Sequence, residues 1–139
     1  MATRSTIAVV NEDNTVTQIY CHWDGYLDNN GRILTESYNS LELAKQLVSF
    51  GDLSVLDEQV EPETDTHSFD SPAAGTCVYY GRDRGETETE ARTYASMEDY
   101  MENASMEDYN YLFVDGEWFY DKSKGKLAKV TDALNLVEA

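Results

Sequence analysis

The sequence predicts an α+β fold, with a mainly antiparallel sheet of four to five strands and two or three helices packed against it. Two runs of β-branched and aromatic residues, at 4–23 and 109–120, have the form of hairpins. Apolar residues at helical spacing follow the first hairpin and recur near the C terminus. The 139 residues, 41% of them hydrophobic, suit a single domain over 1–139 with an ordinary core.

The first predicted hairpin lies at the start of the chain. Residues 4–10 (RSTIAVV) are predicted to be a strand, and residues 15–23 alternate β-branched or aromatic side chains with polar ones. Residues 11–14 (NEDN) are typical of a turn. Residues 24–31 (DGYLDNNG) are predicted to form a loop, since Gly and Asn tolerate positive φ.

A helix is predicted after this loop. Asn39 and Glu42 have the spacing of a capping box, and Gly51 suits the position after the last turn. One or two further helical turns are expected within 32–38, and 76–80 (TCVYY) is predicted to be a third strand. The apolar residues at helical spacing are Leu41, Ala44, Leu47 and Val48.

The second hairpin is the clearest element. Residues 109–114 and 117–120 are rich in aromatic residues, and the Asp115-Gly116 pair between them is typical of a type I′ turn. A last helix is predicted from about Ala128. Its apolar face comprises Val130, Ala133, Leu134 and Val137. A basic patch precedes it at Lys122, Lys124 and Lys126.

Charge restricts the partners more than any motif does. Twenty-seven acids and ten bases give a net charge of −17. The charge therefore disfavours direct binding of nucleic acid or of an anionic membrane, because both would be repelled. The charge favours a protein partner with a basic nucleic-acid-binding surface. The alternative is that the acidity serves solubility.

The acids are concentrated in two segments. Residues 57–75 contain six acids, both prolines and no base, and are predicted to form a surface loop. Residues 85–108 contain eight acids and one base, Arg92, and are predicted to be a helical or turn-rich insertion. We hypothesise that this second segment mimics nucleic acid when it binds its partner. The alternative is that it forms a solvated helical face with its tyrosines in the core. The predicted partner-binding residues are Glu86, Glu88, Glu90, Glu98, Asp99, Glu102, Glu107, Asp108, Tyr100 and Tyr109.

A tandem repeat lies inside the second acidic segment. The hexapeptide ASMEDY at 95–100 recurs at 104–109, nine residues later. One straight helix would place the two copies on opposite faces, so Ser96 and Ser105 are each predicted to start a separate short turn. Local duplication explains the repeat without any function.

The turn at 81–86 (GRDRGE) suggests a second kind of binding site. Arg82 and Arg84 lie between glycines, where two guanidinium groups could hold a phosphate or carboxylate. With Trp23 and Tyr26 they would line a pocket the size of a small nucleotide. The alternative is that the arginines pair with acids of the chain itself.

No catalytic residue, metal or cofactor is predicted. Cys21, His22, His67 and Cys77 lack the spacing of a zinc site, and neighbouring strand residues point to opposite faces. No nucleophile motif is present, so the protein is not expected to be an enzyme. Two cysteines, no signal-peptide pattern and no long apolar run predict a cytoplasmic protein, and the sequence allows a homo-oligomer.

Several sequence blocks carry a resemblance. They are 20–26 (YCHWDGY), 30–34 (NGRIL), 51–54 (GDLS), 81–86 (GRDRGE) and 111–113 (YLF) with Gly116 and Trp118. This pattern resembles a family of small proteins encoded by bacteriophages and prophages, and the repeat departs from it as a private insertion. The family has no established activity. The resemblance implies a phage accessory protein made in the host cytoplasm, which we expect to bind and inhibit a host nucleic-acid-binding or defence enzyme.

Overall fold

The computed structural model describes residues 3–61, 67–121 and 127–138, and within these ranges eight strands form one mixed sheet. The predicted basic patch at Lys122, Lys124 and Lys126 lies outside them, as does the side chain of Val137. The strands are β1 Ser5–Val10, β2 Val16–Cys21, β3 Leu53–Val55, β4 Val78–Tyr79, β5 Arg92–Tyr94, β6 Tyr109–Val114, β7 Glu117–Asp121 and β8 Ala128–Lys129.

Five α-helices accompany the sheet in the described ranges. They are α1 Arg32–Ser37, α2 Leu41–Ser49, α3 Tyr80–Arg84, α4 Met97–Asn103 and α5 Val130–Glu138, and a π-helical turn at Leu27–Gly31 leads into α1. No helix in the described ranges combines the length and the apolar character that crossing a membrane requires.

The strand order β4-β3-β2-β1-β6-β7-β8 places β1 and β2 near the middle. Along the edge of β2 that faces away from β1, β3 pairs at Cys21 and β5 pairs from Val16 to Gln18. β1 runs parallel to β6, and β2 runs parallel to β3. The prediction of a mainly antiparallel sheet with four to five strands and two or three helices is therefore wrong. Strands of two or three residues carry no readable periodicity, and the β1–β6 pairing joins residues about a hundred positions apart.

Both predicted hairpins are confirmed. β1 and β2 pair from Ser5↔Cys21 to Val10↔Val16, although β2 ends before residues 22 and 23. β6 and β7 pair antiparallel around a two-residue turn, where Asp115 has φ 50° and Gly116 has φ 82°. Positive φ at both positions is what a type I′ turn requires.

The start of α2 differs by one residue from the prediction. Ser40, not Asn39, is the capping residue, because its backbone is extended and its hydroxyl accepts a hydrogen bond from the Leu43 amide. The helix buries Ala44, Leu47 and Val48 as its spacing predicts. The last helix begins at Val130, two residues after the predicted start, since Ala128 belongs to β8.

The two faces of the sheet have separate cores. On the first face, Ile7 and Val9 of β1 lie in one large cluster with Leu34 of α1, and the apolar sides of α2 and α5 belong to the same cluster. On the second face, Ala8 packs in a smaller cluster beneath Tyr100 of α4. The alternation of neighbouring β1 residues between the two clusters follows from the pleat of the strand. The acidic 85–108 segment is thus part of the fold, because β5 pairs within the sheet and α4 covers one of its faces.

We expect Gly51→Ala to show how closely this segment is packed. Gly51 has φ 84°, and an added Cβ would overlap the Thr89 carbonyl oxygen. At Gly75, with φ 74°, an added Cβ would meet nothing within 4 Å. Gly75→Ala should lower the free energy of unfolding by about 1 kcal/mol, and Gly51→Ala by about 2 kcal/mol. Denaturant titration measures both, and equal losses would contradict the close contact at Thr89.

Candidate interaction surfaces

The predicted partner-binding acids lie in residues 86–108, a segment that runs along the edge of β2 and then crosses the second face of the sheet. Near its start, the Thr89 carbonyl accepts a hydrogen bond from the amide of Asp52, the residue before β3. The segment then forms β5, which pairs with β2. α4 then packs over the second face, and a loop leads into β6. The acidic face is defined here by six acids of this segment: Glu88 and Glu90, which precede β5 at the sheet edge, and Glu98, Glu102, Glu107 and Asp108, which lie on α4 and the loop after it.

These six acids share a lack of basic partners. None of them forms an ion pair with a described base, and all except the half-buried Glu107 are exposed. The nearby base Arg92 is engaged elsewhere, since its Nη2 lies 2.8 Å from Asp52. Glu86, also predicted for this surface, is 3.8 Å from Arg84. The acidic face therefore carries negative charge that the described residues do not neutralise.

Asp99 has a structural role within this segment. Ser96 caps α4 by accepting a hydrogen bond from the Asp99 amide, as predicted. The Asp99 carboxylate in turn accepts hydrogen bonds from the Ala95 amide at 2.9 Å and from the side-chain amide of Asn103. These bonds join Asp99 to the residue before the cap and to the end of the helix, so Asp99 stabilises α4 and its carboxylate is already engaged.

The second copy of the repeat does not start a helix. Residues 104–108 form a loop that leads into β6, so the prediction for Ser105 is wrong. The reason lies at Asn110, whose side chain accepts from the Glu107 amide and donates to the Glu107 and Asp121 carbonyls. These bonds fix the backbone of Glu107 against the start of β6, in place of a helical turn. At the matching position of the first copy, Met101 packs into the core instead.

The tyrosines of this segment face inward. Tyr100 is 2% exposed, its ring packs against that of Tyr94, and burial raises the pKa of its phenol. Tyr109 is half-buried and stacks on Tyr111. The predicted contact residue Tyr100 therefore belongs to the core, and what reaches the surface here is carboxylate.

The Arg82 side chain is held inside the fold. Its Nη1 donates to the Val60 carbonyl at 2.6 Å, and its Nη2 donates to the Cys77 carbonyl at 3.0 Å. Its Nε lies 3.0 Å from Oδ1 of Asp83, and its guanidinium lies over the Tyr79 ring. Of the two sequence-based alternatives for Arg82, the geometry matches pairing within the chain.

Asp83 joins three parts of the fold at this point. Its Oδ2 accepts a hydrogen bond from the Tyr79 amide at 2.8 Å, and its Oδ1 faces both Arg82 and the His67 ring. The Nε2 atom of His67 lies 3.2 Å from that oxygen without regular hydrogen-bond alignment, while its Nδ1 accepts from the Ala73 amide. The described part of the long acidic loop is thereby held against β4 and α3.

Arg84 is the exposed arginine of this turn. Its side chain is 58% exposed and lies over the Phe69 ring at 5.0 Å. The cavity beside it, about 400 Å³, is lined by Ser68, Phe69, Asp70, Asp83 and Arg84. Neither predicted aromatic wall, Trp23 or Tyr26, is among these residues, so the geometry does not assemble the four-residue pocket.

Trp23 and Tyr26 belong to a different surface. They lie in the aromatic loop, defined here as residues 22–26, which follows β2. Trp23 packs edge-on against His22, whose Nδ1 is 2.7 Å from the Tyr20 hydroxyl. Trp23 is 44% exposed and Tyr26 is 42% exposed. Sequence reasoning found these residues but assigned them to the arginine turn.

The cysteines and histidines do not converge on one point. Cys21 contacts the side chain of Asn30, and burial raises the pKa of its thiol to about 12. Cys77 lies beside Tyr38 and Asp57, and burial likewise raises its pKa. A thiol must lose its proton to bind a metal, so the environments of both cysteines disfavour metal binding. Within the described ranges no three His, Cys, Asp or Glu side chains are grouped as metal ligands.

Comparisons of the chain with family models, with curated proteins and with solved structures found no match.

Proposed function

We propose that this protein binds a partner with a basic nucleic-acid-binding surface and inhibits it by occupying that surface. The observation that carries the proposal is the acidic face, where six carboxylates lie on one segment without a described basic partner. Such a surface offers a basic groove what a phosphate backbone offers, namely closely spaced negative charge. The resemblance to phage-encoded proteins supports a host defence or nucleic-acid-processing enzyme as the partner.

Two of the acids repel each other on α4, and this unfavourable pairing supports a use beyond folding. Glu98 and Glu102 are four residues apart on α4, where like charges destabilise a helix by about 0.2–0.5 kcal/mol. Glu102 lies in the last turn, where negative charge opposes the helix dipole. Solubility alone would be served by acids at any exposed position, whereas these six are concentrated within residues 88–108.

Capture from bacterial lysate at low and high ionic strength tests the proposal. The test variant combines Glu90→Gln, Glu98→Gln and Glu102→Gln. The control removes three exposed acids from elsewhere, in Glu36→Gln, Glu42→Gln and Asp132→Asn. We expect wild type and control to capture a basic protein that high salt or added duplex DNA releases, and the test variant to lose it.

The two triple variants carry the same change of net charge, so a difference between them reports position. Capture that ignores salt and DNA, or that both variants lose equally, would contradict the proposal. Thermal unfolding of both variants checks that the fold is retained.

The alternative proposal, sequestration of a small nucleotide at the arginine turn, has less support because Arg82 is engaged by Val60, Cys77 and Asp83. Calorimetry against a panel of nucleotides separates the two, since a protein with only an acidic face should release no heat. That the protein is not an enzyme, and that it acts in the cytoplasm, stay predictions.

A further inference from the structure

The aromatic loop exposes two large rings within four residues. Single exposed apolar residues are common on protein surfaces, but clustered exposed aromatics are typical of interaction sites. Trp23 and Tyr26 have no part in either core cluster, unlike Trp118, whose indole N–H donates to the Tyr38 carbonyl in the interior. The fold therefore gains little from keeping these two rings.

The backbone of the loop is nevertheless held firmly. The Trp23 amide donates to the Ser54 carbonyl at 3.0 Å, and the Gly25 amide donates to the Thr3 carbonyl at 2.7 Å. The Tyr111 hydroxyl donates to the Gly25 carbonyl at 2.7 Å. Asp24 has φ 55°, an uncommon conformation for a residue with a side chain. The rings are thus presented on a fixed backbone, which reduces the entropy lost when a partner binds.

The loop lies at the same end of the sheet as part of the acidic face. Ser5 pairs with Cys21 on one side and with Tyr109 on the other, so the residues after β2 and those before β6 flank the start of β1. Those preceding β6 are Glu107 and Asp108, and Asp24 is exposed within the loop itself. Acids therefore lie at the same end of the sheet as the two exposed rings.

We propose that the aromatic loop is a binding site for arginine side chains of a basic protein segment, with Trp23 and Tyr26 as stacking surfaces and Asp24, Glu107 and Asp108 as charge partners. Guanidinium groups stack on aromatic faces and are weakly hydrated, so arginine suits this combination better than lysine. The inference rests on the proposed function for the basic character of the partner, but it assigns a different surface and a preference that charge alone does not give.

Calorimetric titration with synthetic peptides tests this site. The probes are a peptide of alternating arginine and glycine, the same peptide with lysine, and the same peptide with neutral citrulline. Wild type should bind the arginine peptide more tightly than the lysine peptide. The double variant Trp23→Leu/Tyr26→Leu should bind the arginine peptide about tenfold more weakly, with an unchanged dependence on salt.

Two matched variants complete the experiment. Leu43→Ala removes a side chain that is 38% exposed on α2, and we expect it to bind like wild type. The triple acid variant of the preceding section should lose part of the salt dependence but keep the preference for arginine.

The outcomes separate the two proposals. If the double variant binds both basic peptides as wild type does while the acid variant binds weakly, the site at the aromatic loop is refuted and the acidic face stands. If the double variant loses the preference for arginine while the acid variant binds like wild type, the peptide is bound at the aromatic loop, and the lysate capture of the preceding section decides the acidic face. Binding of the citrulline peptide or of a neutral oligosaccharide in place of the basic peptides would overturn the assignment to arginine.

Discussion

Asp83→Asn is expected to lower the free energy of unfolding by about 3 kcal/mol, because it removes the charged partner of a largely buried Arg82. Asp83 is 6% exposed and accepts hydrogen bonds from Arg82 and from the Tyr79 amide. Without the negative charge of Asp83, the Arg82 guanidinium stays in place with less opposite charge around it. The contact between residue 83 and His67 also weakens. Denaturant titration at neutral pH measures the loss.

The effect should depend on pH in a defined direction. Burial acts to raise the pKa of Asp83, but the hydrogen bonds from Arg82 and the Tyr79 amide, with His67 beside them, hold it below the usual 3.8. A carboxyl whose pKa is lower in the folded than in the unfolded state contributes its full stabilisation at a pH above its unfolded pKa. That stabilisation is lost as the pH falls through its folded pKa. The difference in free energy of unfolding between wild type and Asp83→Asn should therefore be greatest at neutral pH and become smaller below about pH 4.

Asp70→Asn is the matched control for this prediction. Asp70 lines the same cavity but is exposed, so its loss should change stability by less than about 0.5 kcal/mol. An equal loss in both variants, or a gap that does not narrow in acid, would show that Asp83 does not hold the loop against α3.

Tyr100→Ala is expected to lower the free energy of unfolding by about 4 kcal/mol, since it empties the centre of the core beneath α4. The ring packs with Ala8, Val16 and Leu112 from three central strands. Its loss should also weaken partner binding, because α4 holds Glu98 and Glu102 on the acidic face. Denaturant titration gives the stability, and the capture assay gives the binding.

Tyr100→Phe is the companion variant, because it keeps the ring and removes the hydroxyl alone. We expect it to retain binding and most of the stability. Lost binding in Tyr100→Ala with unchanged stability would instead place Tyr100 in the interface, as the sequence pattern predicts.

The residues of α4 show why surface and core are hard to separate from sequence. Acids and tyrosines alternate in 94–109, and composition does not reveal which of them reach solvent. The helical turn at Met97–Asn103 turns Glu98 and Glu102 outward and Tyr100 inward. The acidic face is therefore a carboxylate surface supported by a tyrosine core.

The elements that the amino-acid sequence predicts correctly are those whose physics is local. The Asp115-Gly116 turn requires two positive φ values between β-prone runs, and α2 follows from one apolar stripe. The net charge of −17 is likewise a property of composition, and it argues against polyanionic partners whatever the fold. The turn and the helix each follow from residues that are neighbours in the chain.

The features that sequence patterns do not predict depend on distant partners, which only the tertiary fold brings together. The parallel pairing of β1 with β6 makes the sheet mixed, and the short strands β3, β5 and β8 form along the edges of longer strands, while β4 pairs in turn with β3. Arg82 is engaged through the carbonyl of Val60, a residue 22 positions away. The hexapeptide ASMEDY is the clearest case: it starts a helix at 95–100 and forms a loop into β6 at 104–109. The two copies are identical in propensity, so their conformations are set by what each one packs and bonds against.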